Sequence, residues 1–564
     1  MPDMDTLSGY IVAASRYALP VLALWMLARC VRSLLRERYE PELWAYLETS
    51  SGERAAIRHW ECIIGSAKSC DVVINRKSVT RTHAALMRSD KGQWTVYDLE
   101  HGGVSVGRLS DEGEGLELHD GDKLKLGDVT LTFRDLTDGQ RAAVDENRAS
   151  PARAVSPGLT LLILTVFQAL LAMQFSVSTD KENALTVVLA FAAVIAAQWF
   201  YYFVMRAIDR VGFEVETLAF FLSTLGVAVT ATDEPGAMLK QLTLLFAGLA
   251  LFLVLGWWLR DIGRTKLLRW PAALAALGLL ALNLLAGDTQ YGASNWLSFG
   301  GFSLQPSELV KVAYVYVGAA TLDRLFRGRN LFMFIAFSAV CVGALALMGD
   351  FGTALIFFVT FLIISFMRSG SFATVFLAVT GAALAGFLVL TVKPYIAQRF
   401  AAWGHVWEDP LGAGWQQTRA LSAAASGGLF GVGAGRGWLK DIFAADTDMV
   451  FCLVCEELGL IVALCAVAAL IVPALFAVRS AAQGRSSYYV IASCAAAGVM
   501  LTQLALNVFG SVDILPFTGV TFPFVSRGGS SLIACWGLLA FIKAADTRQK
   551  ASFSVRLPGK EAQK

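Results

Sequence analysis

The sequence predicts a polytopic α-helical membrane protein that carries one small all-β domain. Only 16 % of its 564 residues are charged, whereas soluble proteins have about a quarter. Mean hydropathy is +0.56, and apolar runs of about 18 to 23 residues, each long enough to cross a bilayer as a helix, follow one another after position 155. One stretch near the N-terminus instead alternates apolar and polar residues between Gly and Asp turns, as strands do.

Residues 1–38 are predicted to form a transmembrane anchor that is not removed. The segment has neither the basic start nor the small-residue cleavage site of a signal peptide. Its end is rich in arginine, with Arg29, Arg32, Arg36 and Arg38, and basic ends of membrane helices stay in the cytoplasm. The domain that follows is therefore expected inside the cell.

Residues 44–136 form the predicted all-β sandwich. Short runs such as DVVIN, AALMR and QWTVYDL are separated by Gly and Asp turns. Residues 137–156 are polar, include Pro and Arg, and are interpreted as a linker to the next membrane helix.

Residues 157–546 form the predicted membrane domain, and residues 547–564 form a tail. Every second connection carries Lys or Arg, which assigns that side, the sandwich and the tail to the cytoplasm. Three distinctive loops, 287–308, 392–449 and 510–531, then face outside. About twelve spans are expected, near 158–177, 184–205, 213–231, 237–258, 267–286, 306–323, 330–347, 350–367, 372–391, 450–477, 487–509 and 522–543.

The charge pattern argues against nucleic acid as a partner. The formal net charge is only +2, and the basic residues cluster at helix ends, where membrane orientation explains them. No nucleic acid is therefore expected among the ligands of this chain.

Four carboxylates surround the start of the span near 450. Asp446 and Asp448 flank Thr447, and such residues before an apolar run also cap helices, although capping explains one carboxylate and not two. Glu456 and Glu457 lie about two turns deeper, where an ionised group needs a partner. For the two glutamates a structural pairing is the favoured interpretation.

Further polar residues stand at the predicted outer ends of spans. Glu308 and Lys311 are three apart on one helical face, as an interfacial ion pair or a functional pair would be. Asp350 begins a span, where it could complement the helix dipole. Trp296 has the position of an ordinary interfacial anchor. The Gly-rich stretch 425–437 suits close backbone packing around a ligand or a flexible loop, and lacks the Lys and Ser of a nucleotide-binding loop.

Taken in order, five motifs resemble those of the SEDS family, whose best-known members are RodA and FtsW. They are GASNWLSFGGFSLQPSELVKVA, GDFGTAL, GWQQTRALSAAASGGLFGVGAG, DTDMVFCLVCEELGL and LPFTGVTFPFVSRGGSSL. The resemblance covers roughly residues 210–545. It implies a glycosyltransferase that polymerises lipid II outside the cytoplasmic membrane of a bacterium, usually together with a class B penicillin-binding protein.

The resemblance also implies the site. Asp448 matches the catalytic aspartate of the family, which would act as general base on the acceptor sugar hydroxyl. A divalent cation, Mg or Mn, would neutralise the diphosphate. The residues expected to bind substrate or line the cavity are Trp296, Glu308, Lys311, Asp350, Gln416, Ser426, Thr447, Ser526, Arg527 and Gly528.

Several positions depart from the family pattern. Asp446 stands where the family usually has His, and Met449 where it has Phe. Asn295 replaces an Arg and Arg527 replaces a Tyr, so that Arg527 is a candidate to supply the positive charge missing from the first loop. Two extra spans precede the usual ten.

The sandwich resembles a forkhead-associated (FHA) domain. The resemblance rests on CIIGSAKSCDVVINRKSVTRTHAAL, YDLEHGGVSVG and LHDGDKLKLGDVTLTF. It implies a ligand loop containing Ser66, Thr80, Arg81, His83 and Gly102. Because Ser66 and Gly102 replace the usual Arg and Asn, two interpretations stay open: weak binding of a phosphothreonine protein, and docking of another cytoplasmic protein without phosphate.

Three hypotheses about function follow. The leading one is a peptidoglycan glycosyltransferase, with a role in elongation favoured over one in division. The second is a lipid II flippase, since many spans with buried charges also suit a transporter. The third is a catalytically silent scaffold that recruits phosphoproteins through the FHA-like domain.

Overall fold

A computed structural model describes residues 4–36, 42–68, 70–89, 92–99, 103–107, 109–110, 115–149, 155–290, 293–299, 302–322, 328–370, 372–392, 403–548 and 550–554.

A helical bundle dominates the molecule. Ten of the described helices are long and apolar enough to cross a membrane, and each predicted span coincides with a helix. The apolar helices are Met4–Val31, Pro157–Ser178, Lys181–Ala207, Glu214–Asp233, Met238–Trp258, Arg269–Ala286, Pro306–Leu322, Gly328–Met348, Phe351–Ser369, Phe372–Val392, Val450–Leu458, Leu460–Ala481, Ser487–Ser511 and Gly529–Ala544. Shorter or more polar helices are Asp138–Ala149, Pro235–Ala237, Ile262–Leu267, Trp415–Gly427 and Leu439–Asp441, and Arg32–Arg36 extends the first helix as a π-helix.

Two predicted spans differ in detail from the structure. The helix predicted near 522–543 begins only at Gly529, after an irregular segment. The helix predicted near 450–477 is interrupted at Gly459, whose φ of 89° lies in the left-handed region. A side chain at Gly459 would collide with the backbone of Leu429 and Phe430, so the break lets two backbone segments touch.

The β module, Ala45–Asp135, consists of two sheets. One has the order β2-β1-β11-β10-β7-β8 and the other β4-β3-β5-β6-β9, with all pairs antiparallel except β3 with β4. Apolar side chains from both sheets, such as Leu47, Leu86 and Phe133, are buried between them. The strands are β1 Ala45–Thr49, β2 Arg54–Ile57, β3 Glu61–Gly65, β4 Val72–Val73, β5 Ala84–Arg88, β6 Trp94–Asp98, β7 Val104–Val106, β8 Leu109–Ser110, β9 Leu116–Leu118, β10 Lys123–Leu126 and β11 Val129–Asp135.

The β module is attached to one end of the bundle, which we call the module end. Glu42 pairs with Arg485 at 2.8 Å, and both side chains are about 95 % buried. The Trp60 amide donates to the Arg485 carbonyl, and Glu61 accepts from the Ser487 amide at 2.8 Å. The ligand loop begins at Ser66, beyond the far end of β3.

The described parts of the predicted linker and tail include a helix and buried side chains. The helix Asp138–Ala149 takes up 12 residues of the predicted 137–156 linker. In the tail, Arg548, Ser552 and Phe553 are buried. Arg548 pairs with Glu214 at 3.0 Å, which is a contact between positions far apart in sequence.

The helix Glu214–Asp233 connects the two ends of the bundle. It has 20 residues, which corresponds to about 30 Å of rise. Glu214 accepts from Ser33 and Arg548 at the module end, and Asp233 lines a cavity at the opposite end, which we call the cavity end.

The extra N-terminal helices also reach the cavity end. Gln168 and Gln198 exchange hydrogen bonds, and Gln168 also donates to Thr224. The Gln174 side chain donates to Ser15 and accepts from the Ala434 amide. Ala434 belongs to the Gly-rich stretch, so the extra helices support a loop of the cavity end.

Candidate functional site

A large cavity opens at the cavity end, with a volume of about 1040 Å³. Its polar wall includes Asp350, Asp446 and Asp448, and its apolar wall includes Phe351 and Phe517. A cavity with both kinds of wall suits a ligand that is partly polar and partly lipid. A three-stranded sheet, β12 Asp288–Gln290, β13 Ala293–Phe299 and β14 Phe302–Leu304, adds to its rim.

The turn with Thr447 and Asp448 is held by its neighbours. The Asn507 side chain donates to the carbonyls of Thr447, Asp448 and Val520, at 2.8 to 3.2 Å. The Ser526 hydroxyl donates to the Thr447 carbonyl at 2.6 Å. Asp448 is thus presented to the cavity by a fixed backbone, and its carboxyl lies against Gly519. The sequence analysis missed Asn507.

Helix capping does not explain the two aspartates. The N-cap position of the helix that follows is Met449, and the described residues supply no side-chain cap there. Asp446 and Asp448 instead both line the large cavity. The N-cap position itself is thus occupied by neither aspartate.

Arg527 is surrounded by carboxylates. It pairs with Asp233 and Glu234, and with Asp446 at 3.3 Å. The Arg527 amide also donates to the Asp446 carbonyl at 2.9 Å. Burial, together with the charge of Asp233, raises the pKa of Asp446 from 3.8 to about 6, although Arg527 opposes the shift. Asp233 and Glu234 were missed because they lie almost 300 positions away in the sequence.

The first long loop and the helices beside it complete the wall. Trp296 and Asn295 on β13 line the large cavity. Glu308 lines it too, and pairs with Lys311 at 2.8 Å while both side chains are almost fully buried within the protein. Asp350 caps its helix by accepting from the Thr353 amide at 3.0 Å, which confirms its predicted place at a helix start.

Glu456 and Glu457 have a structural role. Glu457 accepts from the amides of Gly435 and Gly437, and Glu456 accepts from those of Trp438 and Leu439, at 2.9 to 3.4 Å. The Thr232 hydroxyl also donates to Glu457 at 2.8 Å. Backbone amides, rather than cations, are thus their partners. They fix the Gly-rich stretch against the bundle.

Two predicted cavity residues lie elsewhere. Gln416 is half-buried and donates to the carbonyl of Phe443, a residue that lines the cavity. The Ser426 hydroxyl donates to the Ala423 carbonyl. Neither is among the residues described as lining the large cavity. Lys311 and Ser526 do not line the cavity themselves. Each donates a hydrogen bond to a residue that does, Lys311 to Glu308 and Ser526 to Thr447. Motif membership alone does not distinguish these positions.

In the described part of the predicted ligand loop of the β module, hydrogen bonds connect Ser66, Thr80 and His83. Ser66 donates twice to the Thr80 carbonyl, and the Thr80 amide donates to the buried His83 ring at 3.2 Å. Arg81 is exposed beside them. Gly102 lies outside the described residues.

The described residues do not form a resident metal site. No group of three or more His, Cys, Asp or Glu side chains among them is arranged to hold an ion. Mg²⁺ often binds through one or two carboxylates together with substrate phosphates. The donor set here would fit a cation only if the substrate supplied further ligands.

Two family profiles match the chain. The profile described as "Cell cycle protein", which covers FtsW, RodA and SpoVE, matches residues 203–551. The FHA domain profile matches residues 62–127. The first profile thus covers more than half of the chain, including every residue that lines the large cavity.

Named relatives are similar over the same part. A probable peptidoglycan glycosyltransferase FtsW from Tolumonas auensis is 34 % identical, over 50 % of this chain and 77 % of its own. The peptidoglycan glycosyltransferase RodA of Mycobacterium tuberculosis is 28 % identical, over 54 % and 69 %. Stage V sporulation protein E of Bacillus subtilis is 32 % identical, over 45 % and 72 %.

Solved structures resemble the membrane domain. A peptidoglycan synthase complex that coordinates polymerization and crosslinking contains a chain 25 % identical, with 59 % of this chain and 96 % of that chain covered and a TM-score of 0.49. RodA from Thermus thermophilus is 24 % identical, with 59 % and 95 % covered and a TM-score of 0.44.

Proposed function

The chain belongs to the FtsW, RodA and SpoVE family, and on that premise we propose that it polymerises lipid II into glycan strands of peptidoglycan. It is a glycosyltransferase by this membership. The observation that carries the proposal is the position of Asp448, half-buried in a cavity of about 1040 Å³ whose walls suit both a sugar and a lipid.

The proposed reaction uses Asp448 as general base. Its carboxylate takes the proton from the acceptor sugar hydroxyl while the hydroxyl oxygen forms a bond to the anomeric carbon of the donor. The bond from that carbon to the diphosphate breaks, and the polyprenyl diphosphate leaves with the electron pair. Asn507 and Ser526 support this role, since they hold the turn that presents Asp448.

We propose that the cavity end faces outside and the module end faces the cytoplasm. The protein is a multi-pass protein of the cytoplasmic membrane. The basic connections predicted to stay inside include Arg485, which binds the β module at the module end. Lipid II would then be polymerised outside while the FHA-like domain and the tail stay in the cytoplasm.

The proposed partner outside is a class B penicillin-binding protein that cross-links the strands. Support comes from a similar chain solved within a synthase complex that couples polymerization to crosslinking. We propose a role in elongation rather than division. Depletion of the chain is expected to produce short or round cells, whereas filaments would indicate division.

The proposed partner inside is a cytoplasmic protein with a phosphothreonine. The exposed Arg81 and the ordered Ser66 and Thr80 support it. Arg81→Ala is expected to abolish binding of a phosphothreonine peptide, and Ser66→Arg to strengthen it by adding a charge-assisted hydrogen bond. Binding that ignores the phosphate and both substitutions would identify a phosphate-independent module.

A divalent cation, Mg or Mn, is proposed to enter with the diphosphate rather than as a resident cofactor. Chelation should then stop polymerisation without lowering the melting temperature of the ligand-free protein. A fall in that melting temperature would instead reveal a metal site in the protein itself.

The deciding experiment is polymerisation of labelled lipid II by the purified chain, with and without a co-purified class B partner. Wild type should give glycan ladders, and Asp448→Asn should lose about 100-fold or more of the rate. Asp180→Asn, an exposed aspartate of the same end that does not line the large cavity, is the matched control. If no wild-type polymer forms under any condition, the proposal fails and translocation of lipid II in liposomes must be measured.

A further inference from the structure

The β module contacts the bundle at the first turn of one helix, Ser487–Ser511. Glu61, the first residue of β3, accepts hydrogen bonds from the Ser487 amide at 2.8 Å and from the Ser486 hydroxyl at 3.0 Å. The Ser487 hydroxyl donates to the same carboxylate. Because the first amides of a helix have no partner within that helix and carry the positive end of its dipole, an anionic acceptor stabilises the first turn. The β module thus completes the cap of a membrane helix.

Neighbouring contacts keep Glu61 in place against this helix. The Arg485 side chain pairs with Glu42 and donates to the Ser554 hydroxyl, both at 2.8 Å. The Arg485 carbonyl accepts from the amide of Trp60, the residue before Glu61, at 2.6 Å. Backbone and side chain of Arg485 are therefore both held, so the start of β3 and the start of the helix share one fixed interface.

The same helix reaches the turn that presents Asp448. Asn507 lies about 30 Å of helical rise beyond Ser487, and its side chain donates to the carbonyls of Thr447 and Asp448. The helix is continuous between these two positions, and most of its residues are buried. Close-packed rigid elements transmit displacements because they deform little. A shift of the first turn should therefore reach Asn507.

We propose that Glu61 is a positioning residue of the polymerase. It fixes the first turn of the helix Ser487–Ser511 and, through this helix and Asn507, the turn that carries Asp448. This inference rests on the proposed function and adds to it that the β module takes part in polymerisation itself, in addition to binding a cytoplasmic protein.

The first test is the kinetics of Glu61→Leu in the full-length chain, with rates expressed per folded molecule. The kcat should fall by about tenfold or more, the scale of a small displacement of a reacting group. The half-saturating concentration of lipid II should stay unchanged, because the general base acts only in the transition state. Glu61→Gln keeps an oxygen that can accept from the Ser487 amide, and it should restore most of the rate.

The matched control is Glu117→Leu, which removes an exposed carboxylate from β9 of the same sheet. It should polymerise like wild type. Equal losses in Glu117→Leu and Glu61→Leu would overturn the proposal. A higher half-saturating concentration of lipid II with an unchanged kcat in Glu61→Leu would overturn it as well.

A double variant tests whether Glu61 acts through Asn507. If both residues position the same turn, Glu61→Leu with Asn507→Ala should lose no more activity than Asn507→Ala alone, because coupled residues are not additive. Two losses that multiply would show that the residues act independently, and the proposal would fail.

Hydrogen exchange supplies a readout that needs no turnover. The amides of Thr447 and Asp448 donate to the Ala444 carbonyl, so their exchange reports opening of the turn. In Glu61→Leu, exchange should accelerate both at 484–490 and at 444–449. Acceleration at 484–490 alone would show that Glu61 only docks the β module.

Failure of this inference and failure of the proposed function give different results. A wild-type chain that makes no polymer, but whose 444–449 segment exchanges faster in Glu61→Leu, would refute the polymerase and retain the coupling. An active chain in which exchange at 444–449 is the same in wild type and Glu61→Leu would retain the polymerase and refute the coupling.

Discussion

The two ends of the bundle both bury charged side chains, but they treat them differently. At the module end, Arg548 pairs with Glu214 and Lys543 with Glu216, and these side chains are at least 90 % buried. At the cavity end, Arg527 is 28 % exposed and shared among three carboxylates, while Asp448 lines the large cavity. A buried ion pair makes the fold depend on both partners, because removing one leaves an uncompensated buried charge. An accessible carboxylate can instead exchange a proton with a substrate.

The largest expected effect on stability comes from removing one partner of a buried ion pair at the module end. Arg548→Met leaves Glu214 buried without its cation, which should cost about 3–5 kcal/mol of unfolding free energy. Thermal unfolding in detergent measures the change. The matched control is Arg141→Gln, which removes an ion pair to Asp135 whose side chains are 30 to 43 % exposed. The control should lose less than about 1 kcal/mol of unfolding free energy. Equal losses in the two variants would contradict the claim that buried and exposed ion pairs differ in their effect on stability.

A smaller effect is expected from the residue that positions Asp448. Asn507→Ala leaves three carbonyl groups without their shared donor, and the turn should loosen. We expect polymerisation to fall by about tenfold or more, since displacing a reacting group by about 1 Å costs that much or more, with wild-type affinity for undecaprenyl diphosphate. A joint loss of activity and of that affinity would show that Asn507 supports the whole cavity instead.

The smallest expected effect is a pH dependence at Asp446. Its pKa of about 6 lies above the ordinary 3.8, so the folded state binds more protons than the unfolded state between these values. The stabilising contribution is complete below about pH 4 and disappears as the pH rises through about 6. Relative to Asp446→Asn, the melting temperature of wild type should therefore fall over this interval. A difference that is constant with pH would show that Asp446 is not perturbed.

The sequence predicted the parts of this structure that local patterns encode. Hydropathy located the spans, and alternation located the β module, because both patterns depend on near neighbours. The same signal could not reveal the break at Gly459, since the apolar run continues through it.

Only those site residues that stand within recognisable motifs could be predicted from the sequence. Asp448, Trp296 and Arg527 stand in recognisable motifs and do line the large cavity. Asp233 and Asn507 carry no motif, and their roles depend on long-range contacts with Arg527 and Thr447. The burial of Arg548 was missed for the same reason, because its partner Glu214 lies more than 300 positions away.

The most direct test compares the two ends in one measurement, the polymerisation rate per folded molecule for Asp448→Asn and Arg548→Met. We predict that Asp448→Asn melts like wild type and loses about 100-fold or more of its rate, while Arg548→Met melts earlier and its folded fraction keeps a rate near that of wild type. The account would be contradicted if folded Arg548→Met were as inactive as Asp448→Asn, or if Asp448→Asn retained the wild-type rate.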